Sequence, residues 1–223
     1  MGMESAVTSL GIGFAFGLAL AVPPGPINAI IAEESVSHGI RPGVRAGLGA
    51  MSADICFLVL AAIGLGPFLL ARPTIQAAMI GIGGLLMLYF GYAAIRDAVR
   101  GSQWAEGPQK HAQGFRKTFV LSITNPYQFI FWMTVGLTLL RPDRIDIGGY
   151  LPLISAFVIE TGRPLLFVGL FGGVVVWIVA FPVSLHVVGR RIDRFAPIVS
   201  GASAVILLAF GSVFLLEALS SFW

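Results

Sequence analysis

Charge is scarce in this chain. Asp, Glu, Lys and Arg make up 11% of its 223 residues, against roughly a quarter in a soluble globular domain. So few charges cannot cover a surface in contact with water, which excludes a soluble enzyme or binding domain. Cysteine is scarcer still. Cys56 stands alone, so there is no intramolecular disulfide and no Cys-x-x-Cys redox or metal pair. One cysteine and three histidines supply no soft-ligand set for a metal, and no cofactor is expected. The apolar segments hold no His-x3-His pair, no paired acids and no Ser/His/Asp set, so the chain is not read as an enzyme. The pI of 9.4 raises the question of nucleic acid. The basic residues, however, lie in short segments beside apolar runs, where they orient a membrane protein.

What remains is hydrocarbon. Mean hydropathy is +0.89, and the charges bound six uninterrupted stretches: Val7–Ile31, Ala46–Ala71, Pro73–Ile95, Thr118–Leu140, Pro164–Gly189 and Phe195–Leu216. A helix of about 20 residues crosses ~30 Å of hydrocarbon, and each stretch has at least 22. Lipid cannot satisfy backbone N–H and C=O groups, so the stretches are read as helices. The expectation is an all-α, multi-pass protein of the cell membrane with about six crossings. A seventh run, Ile147–Ile159, is too short to cross and is read with Glu160 (residues 147–160) as an interfacial or re-entrant helix. The N-terminus lacks the basic start of a cleaved signal peptide, so the first stretch is expected to stay.

Lys and Arg divide ten to four between alternate loops. The positive-inside rule then puts both termini on the extracytoplasmic side and the polar segment Val99–Phe115 in the cytoplasm.

The third and sixth stretches overlay at a shift of 120 residues: Gly81 on Gly201, Leu88 on Leu208, Phe90-Gly91 on Phe210-Gly211. This reads as two three-helix repeats, 7–97 and 117–218, joined by a linker at 98–116 within a single domain, 1–223. Three is odd, so the second repeat enters the membrane inverted, a recurring plan of secondary transporters. Gly13-x3-Gly17, Gly43-x3-Gly47 and Gly169-x3-Gly173 suit close helix packing.

Two stretches are broken. Val22-Pro23-Pro24-Gly25-Pro26 interrupts the first, and a single interior proline already costs about 3 kcal/mol. The freed carbonyls of Leu20, Ala21 and Val22 need partners that lipid does not offer. Thr124-Asn125-Pro126 interrupts the fourth. A helix restarting there has Asn125 at its N-cap and Pro126 at N1, and its positive end can receive an anion. Pro24, Gly25, Pro26, Asn28, Thr124, Asn125 and Pro126 are the candidate substrate contacts. Asp54 is the only acid inside any stretch. At about 2.5–3.5 kcal/mol near a helix centre, such a residue is by default functional. It can carry a coupling proton or pair with a substrate ammonium. Counting residues at 1.5 Å each places Pro24, Asp54 and Asn125 at one depth, ~10–12 Å below the cytoplasmic surface. Glu33 and Glu34 are expected to be solvated or paired with Arg41 or Arg45, with gating as the other reading. Tyr127, Trp132 and Trp177 are read as packing or interface residues.

With these residues in place the chain resembles the LysE/RhtB family of amino-acid exporters. The resemblance is carried by Pro23-Pro24-Gly25-Pro26 and by Ser37-His38-Gly39 leading to Gly43, Gly47 and Gly49. Asp54, Ala62-Ile63-Gly64-Leu65, Asn125-Pro126 and Phe131-Trp132 continue it. Tyr127 stands where the family often has a basic residue, and Arg141–Arg163 is longer than usual. The resemblance implies proton-driven export of amino acids or related small metabolites, with the lipid bilayer and a small-molecule substrate as partners and a homo-oligomer compatible with it. The residues alone reach a transporter-like protein with a site at two broken helices, against export of another solute or ion, or a non-transporting scaffold.

Overall fold

Proline and glycine punctuate this fold. A computed structural model describes residues 3–65, 71–100, 113–146, 158–189, 191–192 and 195–220. Its helices are α1 (Met3–Ala21), α2 (Pro26–His38), α3 (Ile40–Ala62), α4 (Pro73–Arg100), α5 (Gly114–Ile123), α6 (Pro126–Phe131), α7 (Leu137–Leu140), α8 (Pro164–Gly189) and α9 (Phe195–Ser220). A π-helical turn, Trp132–Gly136, joins α6 to α7. Four of these helices open on proline, where the missing N–H is no loss. Gly39 separates α2 from α3 by a single residue at φ 100°, a conformation that only glycine adopts freely.

The protein is a polytopic helical membrane protein. Among the described residues, four helices are long and apolar enough to cross: Ile40–Ala62, Thr74–Arg96, Pro164–Gly189 and Phe195–Ser220. The first stretch is a bent pair, Ala6–Ala21 and Pro26–His38, turned by 81°, and becomes a fifth span if the pair crosses as one. The expected fourth stretch consists of shorter pieces, α5 and then Pro126–Leu140. α3 begins at Ile40, so Arg41 and Arg45 lie in its first turns and not in a loop. Charges bound the apolar stretch but do not end the helix, because an arginine stem stays helical while its head reaches water. One short antiparallel pairing, β1 (Arg144–Asp146) with β2 (Val158–Glu160), sets Arg144 opposite Glu160. Arg144 donates to Glu160 at 3.0 Å. The expected helix at 147–160 falls mostly outside the described residues; its last three residues are strand. The linker's residues 101–112 also lie outside them.

Helix packing follows the glycines. α1 runs parallel to α8. A Cβ at Gly13 or Gly17 would overlap the carbonyl oxygens of Leu166 and Leu170, and one at Gly169 or Gly173 those of Leu10 and Phe14. α5 runs parallel to α3, with Thr118 Oγ1 donating to the Ala46 carbonyl at 2.5 Å. α4 and α9 are antiparallel. A Cβ at Gly91 would come within 2.9 Å of Leu208 Cγ, and one at Gly211 within 2.9 Å of Leu88 Cδ2. These last two contacts are the same contact seen twice, related by the 120-residue shift of the sequence overlay. The first helix of each half thus lies along the second helix of the other, in an inverted-repeat-like arrangement.

Candidate functional site

Both breaks leave backbone groups that must be satisfied inside the protein. At the first, Asn28 does this. It sits on the first turn of α2 and turns back over the bend. Its Nδ2 donates to the carbonyls of Ala21 and Pro23, each at 2.8 Å. Its Oδ1 accepts from Trp177 Nε1 on α8 at 3.2 Å. One side chain therefore straps the bend and ties it to the opposite half. Gly25, the N-cap of α2, is extended and gives no side-chain cap; a Cβ there would meet open space.

At the second break the restart is as expected. Asn125 is the N-cap of α6, its Oδ1 accepts from the Tyr127 N–H at 3.0 Å, and Pro126 occupies N1. Its side chain thus already serves one of the N–H groups that were expected to receive an anion.

Between the breaks lies a cavity of about 330 Å³. Pro23, Gly25, Pro26 and Asn28 form one wall, Tyr127, Gln128, Phe131 and Trp132 another, and Gly47, Met51 and Asp54 of α3 lie between them. Trp177 and Ile178 close it from α8. Asp54 is buried, and its Oδ1 accepts from Gln128 Nε2 at 2.6 Å and from Trp132 Nε1 at 2.5 Å. A carboxylate on α3 is thereby joined to the helix restarted after the second break. Trp132 also opens the π-helical turn, a distortion often found at functional sites. No Lys, Arg or His among the described residues lines the cavity; its charged group is Asp54.

The candidate residues thus divide. Gly25, Pro26, Asn28 and Asp54 come together around the cavity. Pro24 is exposed and does not line the cavity. Thr124 turns away, its hydroxyl donating to the Val120 carbonyl at 2.8 Å, and Pro126 is packed in the interior. Thr124, Asn125 and Pro126 make the break; the residues just after them face the cavity. Tyr127, Trp132 and Trp177, expected to be packing or interface residues, line the cavity, where Trp132 donates to Asp54 and Trp177 to Asn28. Gln128 was missed, although an amide in an apolar run, three residues past a helix restart, was a signal. Glu33 and Glu34 are buried and not solvated. Glu34 pairs with Lys117 of α5 at 2.9 Å and lies 3.3 Å from His38 Nδ1, not against Arg41 or Arg45. The bend after α1 turns Glu34 inward, toward the other half. No group of three or more His, Cys, Asp or Glu among the described residues is placed to hold a metal ion.

The family model for LysE type translocators matches residues 18–218, nearly the whole chain and both breaks. The chain belongs to the LysE type translocator family. Its relatives include a putative amino acid efflux protein, YcgF, of Bacillus subtilis, 29% identical over 124 residues, covering 53% of this chain and 57% of the relative. An uncharacterized membrane protein of Pseudomonas aeruginosa is 27% identical over 156 residues, covering 62% of this chain and 72% of the relative. A leucine efflux protein of an Enterobacter species is 23% identical over 131 residues, covering 58% and 62%. The chain thus spans less than two-thirds of the first and third of these relatives. No solved structure matches it. Membership sets the cavity in a chain of a translocator family; in secondary transporters generally, broken helices frame the substrate site.

Proposed function

We propose that this protein exports amino acids across the cell membrane, driven by the proton gradient, with the cavity between the two breaks as the substrate site and Asp54 as the coupling residue. The observation that carries the reading is the buried carboxylate of Asp54, set in a cavity walled by both broken helices and bonded to Gln128 and Trp132. A scaffold has no need of two costly breaks and a buried acid at one place. The names of the relatives, amino acid efflux and leucine efflux, support the substrate class.

The finer architecture belongs to the same proposal. The protein has six crossings in two inverted repeats, broken at the first and fourth, with both termini extracytoplasmic. The parallel pairs α1–α8 and α3–α5, the antiparallel pair α4–α9 and the doubled Gly–Leu contact all suit that plan. Inversion gives the cavity two equivalent ways to open, and alternating access follows from rocking one half against the other. Glu34–Lys117, an ion pair at 2.9 Å outside the cavity, bridges the halves and can part as they rock.

Counterflow in proteoliposomes tests the function. Vesicles holding purified protein and unlabelled leucine should accumulate labelled leucine, and an imposed pH gradient should drive it uphill. A panel of labelled amino acids that shows neither counterflow nor gradient-driven flux would remove the proposal.

A further inference from the structure

The cavity is chemically one-sided. Its wall carries one carboxylate, and no cationic side chain among the described residues. An amino acid brings both signs of charge. Its carboxylate finds no full positive charge here; the best partner is the N-terminal end of α2, about half a charge. Its ammonium finds Asp54, a full charge whose Oδ1 is already fixed by two donors from one helix. Both donors bind the same oxygen, so the carboxylate's remaining acceptor sites need not be given up when a cation arrives. Phe131, Trp132, Trp177 and Tyr127 line the same cavity, and aromatic faces attract a cation, the more so when water is excluded. Met51, Val174 and Ile178 offer an apolar body its place.

We infer that this site recognises its substrate through the cationic nitrogen and the apolar side chain, with Asp54 as the ammonium subsite, and that substrate and proton are alternative occupants of that one carboxylate. The inference rests on the export reading and specifies how the site works. The exchange balances: a protonated Asp54 meeting an alkylammonium gives up its proton to water and keeps the ammonium as the counter-ion of its carboxylate. On the far side the steps reverse, the ammonium leaving as a proton returns. Outward substrate and inward proton are then coupled because they cannot share the site. Tyr127, whose hydroxyl donates to Glu217, is the other titratable side chain in the wall. Glu34, Lys117 and His38 form their own cluster outside it.

The test uses purified full-length protein in detergent and labelled leucine in a scintillation proximity assay. Two competitors divide the zwitterion: leucinamide keeps the ammonium and loses the carboxylate, and N-acetyl-leucine does the reverse. Leucinamide should displace leucine within about tenfold of leucine's own potency, and N-acetyl-leucine at least a hundredfold less well. In weakly buffered solution leucinamide should release protons from the wild type and none from Asp54→Asn. Displacement by N-acetyl-leucine in preference to leucinamide overturns the inference, as does leucinamide binding without proton release at every pH tried. The competition needs no variant, so a misfolded Asp54→Asn leaves it decisive. Counterflow of leucine with the competitor order reversed sinks the inference and spares the export reading. Leucinamide binding with proton release, but no amino-acid counterflow, does the opposite.

Discussion

Replacing Asn28 by Asp isolates the strap over the first break. The two side chains have the same shape, but an ionised Asp has no donor. The bonds from Nδ2 to the Ala21 and Pro23 carbonyls, both 2.8 Å, are lost, while the acceptor for Trp177 Nε1 at 3.2 Å is kept. A carboxylate oxygen is also pushed toward two carbonyl oxygens with their own partial negative charge. Side-chain hydrogen bonds in membrane proteins average about 0.6 kcal/mol and reach about 1.7, so the two lost bonds amount to about 1–3 kcal/mol before that repulsion is added. Asn28→Leu keeps the volume and loses all three bonds, about 2–5 kcal/mol on the same scale. At roughly 2–4 °C per kcal/mol for chains of this size, both variants should lose several degrees of thermal midpoint, followed as the monodisperse fraction surviving heating in detergent. Transport should fall further than stability, because the bend that forms the cavity wall loosens. Asp and Leu variants that melt and transport like wild type would refute the strap.

The α1–α8 interface gives a paired test: Gly17→Leu drives a side chain into the Leu170 backbone and should cost at least 1–3 kcal/mol, whereas Gly11→Leu meets open space and should leave the midpoint unchanged or raise it through helix propensity. Lys117→Met leaves the buried Glu34 carboxylate with His38 alone and should cost up to about 3–5 kcal/mol, the figure for an uncompensated buried charge. Adding Glu34→Gln should recover part of that loss, and a double variant no better than the single one would mean that the pair is not coupled. For topology, a cysteine at position 105 in a Cys56→Ala background should resist impermeant reagents added outside intact cells.

Much of this molecule is legible in its sequence because the physics behind it is local. Charge-free runs of at least 22 residues, prolines that remove N–H groups and a lone acid in hydrocarbon each carry their meaning without knowledge of the fold. The 120-residue overlay went further: Leu88 and Gly91 meet Gly211 and Leu208 across one interface. The second break was read correctly down to the N-cap of Asn125. The residues that make a break are not always those that face the cavity. Asn125 caps its own helix and Thr124 bonds its own preceding turn, and neither lines the cavity. The residues that reach Asp54, Gln128 and Trp132, lie one and two turns further on. Their role depends on how α6 rotates against α3, which is a property of tertiary packing. Glu34 illustrates the same limit. Its sequence neighbours Arg41 and Arg45 were the obvious partners, but the 81° bend carries it to Lys117, 83 residues away.

The most direct measurement compares wild type and Asp54→Asn on one proteoliposome preparation, reading leucine uptake driven by an imposed pH gradient beside leucine exchange at equal pH. Asn keeps the shape of Asp54 and removes both the exchangeable proton and the charge. Gradient-driven uptake should vanish in the variant. Exchange should fall with it if Asp54 also holds the ammonium; exchange retained without uphill flux would leave Asp54 the proton carrier alone. Uphill transport by Asp54→Asn at the wild-type rate would contradict the assignment of Asp54 as the coupling residue.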